Sequence, residues 1–226
     1  MDAYINSDAA SRSDFDGGVV LSKVSKTIKG KRVLDNVSVS FPKGGISGVR
    51  GHNGSGKTMM LRAIAGLIRI DSGSIRIFGE EYARGDVFPS SIGFLIEPLR
   101  LWDDLSGLQN LKLLASIRGN ADEPAIRGAL ERVGLDPGDR RQVRSYSLGM
   151  HQRLCIAQAI MERPELILLD EPTNALDDDG KRLIRDLIVE EKDRGATIIV
   201  VSHDLSELDA VSDIQYQMTD GTIRER

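Results

Sequence analysis

The segment Gly-His-Asn-Gly-Ser-Gly-Lys-Thr, residues 51–58, constrains the fold of this 226-residue chain more than any other feature. It satisfies the pattern G-x-x-x-x-G-K-[ST], which needs a strand before it and a helix after it. Residues 46–49 are predicted to form a short strand, and residues 57–67 have the apolar spacing of a helix that ends near residues 71–73. The segment and its flanks therefore predict a strand-loop-helix unit of an α/β fold.

The residue types of this loop indicate a phosphate-binding site. Its glycines let successive backbone N–H groups turn towards an anion at the N-terminus of the helix. Lys57 would place a positive charge near the β- and γ-phosphates of a nucleotide, and Thr58 would offer a hydroxyl oxygen to Mg²⁺. A glycine-rich turn without a ligand is the alternative. The predicted nucleotide-binding residues of the loop are Gly51, His52, Asn53, Gly54, Ser55, Gly56, Lys57 and Thr58.

Two later segments place ionisable side chains after apolar runs. The run 166–169 ends in Asp170 and Glu171, and the run 197–201 comes just before His203. Ligands of open α/β sheets bind at the C-terminal edge of the strands. We expect Asp170 to hold Mg²⁺, Glu171 to act as general base on the attacking water and His203 to reach the γ-phosphate. The alternatives are acids that merely end a strand and an ordinary surface histidine.

Hydrophobic periodicity predicts the other elements. An alternating strand pattern covers residues 19–27 and 32–41, and residues 105–161 contain mostly helical patterns. The predicted helices are 108–117, 123–133, 149–161 and 180–194, and residues 214–225 are predicted to form a hairpin that turns at Asp220 and Gly221. Because strands and helices alternate after residue 164, the main sheet is predicted to be parallel.

Residues 146–153, Tyr-Ser-Leu-Gly-Met-His-Gln-Arg, resemble the signature loop of the ABC ATPase family, which is usually Leu-Ser-Gly-Gly-Gln. Alone, this segment could be a plain helix cap. Three more positions agree with the family: residues 174–177 resemble the loop after its catalytic acid, His203 its switch histidine, and Glu97 stands in the place of its usual glutamine. The motifs occur in the family order, and the resemblance runs from about residue 19 to residue 226.

The resemblance implies an α/β architecture: a P-loop NTPase (RecA-like) core, a small antiparallel β subdomain and an inserted helical subdomain. We expect a flexible N-terminal tail at residues 1–18 and the ATPase domain at 19–226. Within that domain, the catalytic core is expected at about 19–96 and 162–226, and the helical subdomain at about 97–161.

The resemblance also implies ATP and Mg²⁺ as cofactors and a shared active site. In the family, two domains pair head to tail, and each ATP lies between one phosphate loop and the signature loop of the other subunit. The partner would be a second copy of this chain or a homologous cassette. Expected metal ligands are Thr58, Asp170 and Glu97, and Asp177 belongs to the dimer loop. The signature residues expected to contact the partner's ATP are Ser147, Leu148, Gly149 and Met150.

Four positions depart from the family pattern. Ile28 stands where an aromatic residue commonly stacks on adenine, so we expect looser nucleotide binding and weaker discrimination of ATP from GTP. Glu97 adds a negative charge beside the metal. Leu148 and Met150 replace residues of the signature, and this variant resembles the antibiotic-resistance and bacteriocin-immunity branch of ABC exporters.

Composition limits the partners. The formal net charge of −4 argues against nucleic-acid binding, and the longest apolar runs are far shorter than the roughly 20 residues of a spanning helix. We therefore expect a cytoplasmic chain that does not cross the bilayer itself. The resemblance implies that a separate integral membrane permease holds it on the inner face of the cell membrane and docks near residues 97–105, including Leu101 and Trp102. Trp102 could equally lie in the core of the helical lobe. Cys155, the only cysteine, is expected in the core.

Two other functions fit the sequence. One is a soluble ABC ATPase that drives a task other than transport, and the other is a nucleotide-gated regulatory module with little hydrolysis. The intact pair Asp170 and Glu171 argues against the second.

Overall fold

A computed structural model describes residues 17–82, 89–98 and 100–226, so most of the predicted N-terminal tail lies outside the described residues. The strands are β1 Val19–Ile28, β2 Lys31–Phe41, β3 Ile46–Arg50, β4 Ser72–Ile77, β5 Glu80–Glu81, β6 Ile92–Leu95, β7 Leu166–Asp170, β8 Thr197–Ser202, β9 Ile214–Thr219 and β10 Thr222–Glu225. The helices are α1 Lys57–Ile64, α2 Gly107–Arg118, α3 Glu123–Arg132, α4 Leu148–Ile160, α5 Asp178–Asp193 and α6 Leu205–Val211, with a 3-10 turn at Val143–Ser145.

The strands form two sheets. The smaller sheet is antiparallel, in the order β2-β1-β4-β5, and the larger has the order β10-β9-β3-β8-β7-β6. In the larger sheet β6, β7, β8, β3 and β9 run parallel, and β10 returns beside β9 as the predicted hairpin. Asp220 and Gly221 both have positive φ at the turn. The predicted parallel sheet and the small antiparallel sheet are therefore confirmed.

The central strands explain why their sequences are apolar without alternation. All residues of β7 and β8 are buried, because both faces of a parallel sheet are covered. Their register pairs Asp170 with Val201 in β8, and the register of β3 with β8 pairs Arg50 with Ser202. The loops that follow β3, β7 and β8 therefore leave the sheet side by side at one edge.

The helix after the phosphate loop is shorter than predicted. It ends at Ile64, and Gly66 follows with a φ of 72°, a left-handed conformation that ends a helix. Residues 72 and 73, predicted to follow the end of the helix, begin β4. The elements β4, β5, β6 and α6 were not predicted.

The helices between β6 and β7 pack on the main sheet. Leu111, Leu130 and Leu154 from α2, α3 and α4 share one apolar cluster with Ile167 and Ile198 of the sheet. No described helix is both long and apolar enough to cross a bilayer. The limits of the helical subdomain stay a prediction, because α4 contributes to the same core as the sheet.

Cys155, Leu101 and Trp102 lie in or near these helices and differ in their exposure to solvent. Cys155 is buried, as predicted, and burial is the main cause that raises the pKa of its thiol to about 12. Leu101 is buried, whereas Trp102 is 47% exposed and therefore lies on the surface and not in the core.

The contact of α4 with β6 depends on Gly93. A Cβ atom at this position would lie 1.8 Å from the carbonyl oxygen of Ala159. We expect Gly93→Ala to lower the free energy of unfolding by about 3 kcal/mol, since the helix would have to move off the strand. The matched control is Gly128→Ala in α3, where nothing lies within 4 Å and the substitution should stabilise the helix by up to about 1 kcal/mol. Urea unfolding measures the free energy of unfolding of both variants. Equal values for Gly93→Ala and Gly128→Ala would contradict the close packing of α4 on β6.

Candidate functional site

A pocket of ≈ 550 Å³ lies at the edge of the main sheet where β3 and β7 end. Five of the eight predicted loop residues line it, together with Glu97, Asp170 and Glu171. Five further described residues line the pocket and were not predicted as site residues. They are Lys31, Val33, Met59, Pro98 and Asn174.

The phosphate loop is shaped by backbone contacts. Gly56 precedes the first residue of α1 with a φ of 110°, and a Cβ atom there would lie 2.7 Å from the carbonyl oxygen of Val33. Only glycine fits both the left-handed conformation and the close approach of β2. The Gly221 N–H donates to the carbonyl of Ser55 at 2.8 Å, which ties the loop to the β9–β10 hairpin. The free N–H groups at the start of α1 are thereby fixed at the pocket.

Lys57 is held across the same loop. Its Nζ donates to the carbonyl oxygen of Gly51 at 2.6 Å and to that of His52 at 3.3 Å. Burial lowers the pKa of Lys57, and the nearby carboxylates of Glu171 and Asp170 oppose that shift. The ammonium group therefore has charged neighbours in the pocket and carbonyl oxygens behind it.

Asp170 is a buried carboxyl group beside Thr58. Burial raises the pKa of Asp170, while a hydrogen bond from the Thr58 side chain lowers it; Glu171 and Glu97 add to the rise, and Lys57 opposes it. Glu171 and Glu97 thus repel the Asp170 carboxylate within one pocket, and Lys57 in the same lining attracts it. A bound cation or a cationic side chain would relieve this repulsion.

Glu171 follows β7 in an unusual conformation and is held firmly. Its φ is 49°, which is rare for a residue other than glycine and occurs often at functional sites. Its Oε1 accepts from the His203 N–H at 2.9 Å and lies 2.9 Å from His203 Nδ1. Its Oε2 accepts from the Ser202 hydroxyl at 3.0 Å, and Gln152 donates to its main-chain oxygen at 3.2 Å. The structure thus brings His203 to Glu171, although His203 does not line the pocket.

The signature residues lie away from the pocket of their own chain. Ser147 caps α4 and accepts from the Met150 N–H at 3.2 Å, and Leu148 is 73% exposed beside it. A Cβ atom on Gly149 would lie 3.1 Å from the carbonyl oxygen of Ala175, so this helix start rests on the loop after Glu171. Contacts of Ser147, Leu148, Gly149 and Met150 with a second subunit stay a prediction.

The remaining predicted residues have varied positions. Asp177 caps α5 and accepts from the Gly180 N–H at 2.9 Å. Glu97 lines the pocket, and its main-chain oxygen accepts a hydrogen bond from Arg62 of α1. Gly51, His52 and Ser55 shape the loop without lining the pocket, and Ile28 is also outside the lining. Ser202 and Gln152 were missed, although the Ser-His pair at the end of an apolar run was a usable signal.

A phosphate loop at a helix N-terminus, beside an Asp-Glu pair at the carboxyl edge of a parallel sheet, defines a P-loop nucleotide-binding protein. The model of the ABC transporter family matches residues 34–174. The chain therefore belongs to the ABC transporter family, as one of its ATP-binding, ATP-hydrolysing subunits.

Relatives agree with this assignment. The chain is 46% identical over 200 residues to the ABC transporter ATP-binding protein YybJ of Bacillus subtilis, covering 88% of this chain and 92% of that protein. It is 38% identical to the lantibiotic transport ATP-binding protein SrtF of Streptococcus pyogenes, covering 85% of this chain and 83% of that protein. It is also 38% identical to the bacitracin transport ATP-binding protein BcrA of Enterococcus faecalis, of which it spans 63%. The predicted likeness to the antibiotic-resistance and bacteriocin-immunity branch is confirmed.

Solved structures support the same fold. The dimeric bacterial ABC transporter cassette MJ0796 superposes with a TM-score of 0.83 at 27% identity, over 92% of this chain and 97% of that chain. A second structure of that cassette, with the same TM-score, is a dimeric post-hydrolysis state bound to ADP and Pi.

The Ser202 hydroxyl is expected to position Glu171. Ser202→Ala removes the donor to Oε2, and we expect kcat for ATP hydrolysis to fall about tenfold while KM for ATP stays the same. Ser202→Thr keeps the hydroxyl and should restore kcat. Ser206→Ala removes a hydroxyl that bonds to Asp204 on the exposed surface, and it serves as the control. A kcat for Ser202→Ala that equals the wild-type value would contradict this role.

Proposed function

We propose that this chain hydrolyses Mg-ATP with Glu171 as general base and thereby powers transport through a separate membrane protein. The observation that carries the proposal is the common pocket of Lys57, Thr58, Asp170 and Glu171. Anion donors, hard oxygen ligands and a candidate base are the groups that phosphoryl transfer to water requires.

The donor set fits Mg²⁺ that arrives with a nucleotide. Among the described residues, no group of three or more His, Cys, Asp or Glu side chains could hold a metal ion alone. Mg²⁺ commonly takes one or two protein oxygens together with phosphate oxygens and water, and the Thr58 hydroxyl beside the Asp170 carboxyl offers such a pair. Glu97 in the same lining is a further candidate ligand. When bound, the ion would neutralise charge on the phosphates.

Each residue then has a defined role. The N–H groups of the phosphate loop and Lys57 bind and orient the phosphates. Glu171 accepts a proton from the attacking water, and His203, whose Nδ1 is 2.9 Å from the Glu171 carboxylate, orients that carboxylate. His203 does not line the pocket of its own chain, and its contact with the γ-phosphate stays a prediction. Hydrogen bonds from the Ser202 hydroxyl and the main-chain N–H of His203 keep the Glu171 carboxylate in one position.

The site is completed by a second subunit. In one chain the signature residues Ser147 and Gly149 do not line the pocket, and Leu148 is exposed at the same helix start. A head-to-tail dimer, formed with a second copy or a homologous cassette, would bring this helix N-terminus to the partner's nucleotide, where its N–H groups bind an anion. Such a dimer closes on ATP and reopens after hydrolysis.

Glu171→Gln tests the hydrolytic function. This change keeps the shape and the hydrogen-bonding oxygen but removes the base, so steady turnover should fall at least a hundredfold while ATP binding is retained. Turnover is measured by phosphate release and binding by calorimetry. A wild-type chain that binds ATP without turning it over would favour the regulatory module, and unchanged turnover in Glu171→Gln would exclude Glu171 as the base.

For the membrane partner we propose a groove between β6, α2 and α4. This groove of ≈ 310 Å³ is lined mainly by apolar side chains, including Phe94, Leu114 and Met161, and Ile117 at its rim is 73% exposed. A short amphipathic helix of the permease fits such a groove with its apolar face. The groove is not lined by the segment 97–105 predicted from the sequence, although the exposed Trp102 belongs to that segment.

Ile117→Glu tests the groove. The charge should abolish co-purification of a multi-span membrane protein with the tagged chain from native membranes, while turnover of the isolated chain stays within twofold. Leu67→Glu, at an apolar residue that is 42% exposed elsewhere, is the control and should leave co-purification unchanged. If a membrane protein still co-purifies in stoichiometric amount with Ile117→Glu, the permease docks at another surface. If the wild-type chain co-purifies only with soluble proteins, the chain is better explained as an ATPase that drives a task other than transport.

A further inference from the structure

The described lining of the nucleotide pocket contains no aromatic side chain beside the phosphate loop. Val33 and Met59 are its apolar members there, and Lys31 stands at the end of the same strand as Val33. Aliphatic side chains give a base less contact than an aromatic ring does. Affinity for the nucleotide therefore has to come mainly from charges and hydrogen bonds.

The backbone fixes Lys31 over the phosphate loop. Lys31 is the first residue of β2 and pairs with Ile28 across the β1–β2 hairpin. Two residues further along, the carbonyl of Val33 is in close contact with the position of Gly56. The Asp35 N–H donates to Gly221 at 2.8 Å, next to the hairpin that holds the loop. The start of β2 therefore lies against the phosphate loop at Val33 and is bonded to the β9–β10 hairpin at Asp35, with Lys31 at its open end.

The charge of Lys31 is available to a ligand. Its neighbours Lys26 and Arg32 form ion pairs with Asp71 and Asp35, at 2.8 Å and 2.9 Å. Lys31 itself makes no ion pair with any described residue. A flexible, exposed ammonium group at the wall of an anion site is a point charge that suits phosphate.

The pocket needs this charge. Its described lining has three carboxyl groups, Glu97, Asp170 and Glu171, against two cations, Lys57 and Lys31. Lys57 already donates to two carbonyl oxygens of the loop. A polyanionic nucleotide entering a site with excess negative charge therefore gains from each further cation within reach.

We propose that Lys31 is a nucleotide-binding residue that attracts the phosphates by charge and substitutes for the aromatic stacking that Ile28 lacks. This inference rests on the proposed function. It makes the affinity dependent on salt and nearly independent of the purine, because phosphates are common to ATP and GTP and charge interactions are screened by ions.

The test compares Lys31→Gln with Lys29→Gln. Lys29 is exposed in the turn of the same hairpin but does not line the pocket, so the pair is matched in charge and side-chain chemistry. Dissociation constants of the Mg²⁺ complexes of AMP-PNP and GMP-PNP are measured by calorimetry at low and high sodium chloride. For Lys31→Gln we expect both affinities to fall about tenfold at low salt and by a smaller factor at high salt.

Lys29→Gln should stay within twofold of the wild type, and Lys31→Arg should retain tight binding because it keeps the charge. Equal effects of Lys31→Gln and Lys29→Gln would overturn the proposal, since they would reflect general charge alone. A loss for only one of the two purines would also overturn it, because Lys31 would then contact the base. If the wild type bound neither AMP-PNP nor GMP-PNP, the proposed function itself would fail. That outcome differs from the two results that would overturn only the role of Lys31.

Discussion

The parallel pairing of β3, β8 and β7 is the constraint on which the rest of the site depends. The register pairs Arg50 with Ser202 and Asp170 with Val201. It therefore brings Arg50 to the same edge of the sheet as Asp170 and Ser202, which follow it by more than a hundred positions. Because all three strands end there, the phosphate loop, the Asp-Glu pair and the Ser-His pair meet without a long connecting loop. A shift of this register would separate the base from the phosphates.

The same packing creates an electrostatic problem that a ligand resolves. Burial raises the pKa of Asp170, and the Glu171 and Glu97 carboxylates raise it further. Lys57 and the Thr58 hydroxyl offset only part of this repulsion, so a metal ion bound to phosphates would be the natural counterpart of the acids. Glu171 avoids part of the cost because Ser202 and His203 donate to its two oxygens. The proposed base is thus held by hydrogen bonds, and Asp170 is the carboxyl group whose pKa burial raises.

Much of this arrangement was predictable from the sequence, for physical reasons that differ by element. The phosphate loop and the run that ends in Asp170 are local patterns, and the alternation of strands and helices after residue 164 indicated a parallel sheet. The two-residue β5 and the seven-residue α6 are too short for a periodicity to emerge, and β4 begins with Ser-Gly-Ser, which has no strand pattern. Lys31 and Gln152 reach the site only through tertiary contacts, so no local pattern marks them, whereas Ser202 is marked by its place between an apolar run and His203. The groove at Ile117 likewise depends on how α2 packs on α4 and how α4 packs on β6, which no local pattern marks.

One chain contains a phosphate loop, a proposed metal-binding pair and a proposed base, but its signature residues do not line its own pocket. The central claim is that ATP joins two chains so that each completes the other's site. Sedimentation velocity of the Glu171→Gln chain, with and without saturating Mg-ATP, tests this claim most directly. The account predicts a monomer without nucleotide and a dimer with Mg-ATP that is lost in the double variant with Ser147→Arg. A chain that stays monomeric while calorimetry shows one bound ATP per molecule would contradict it.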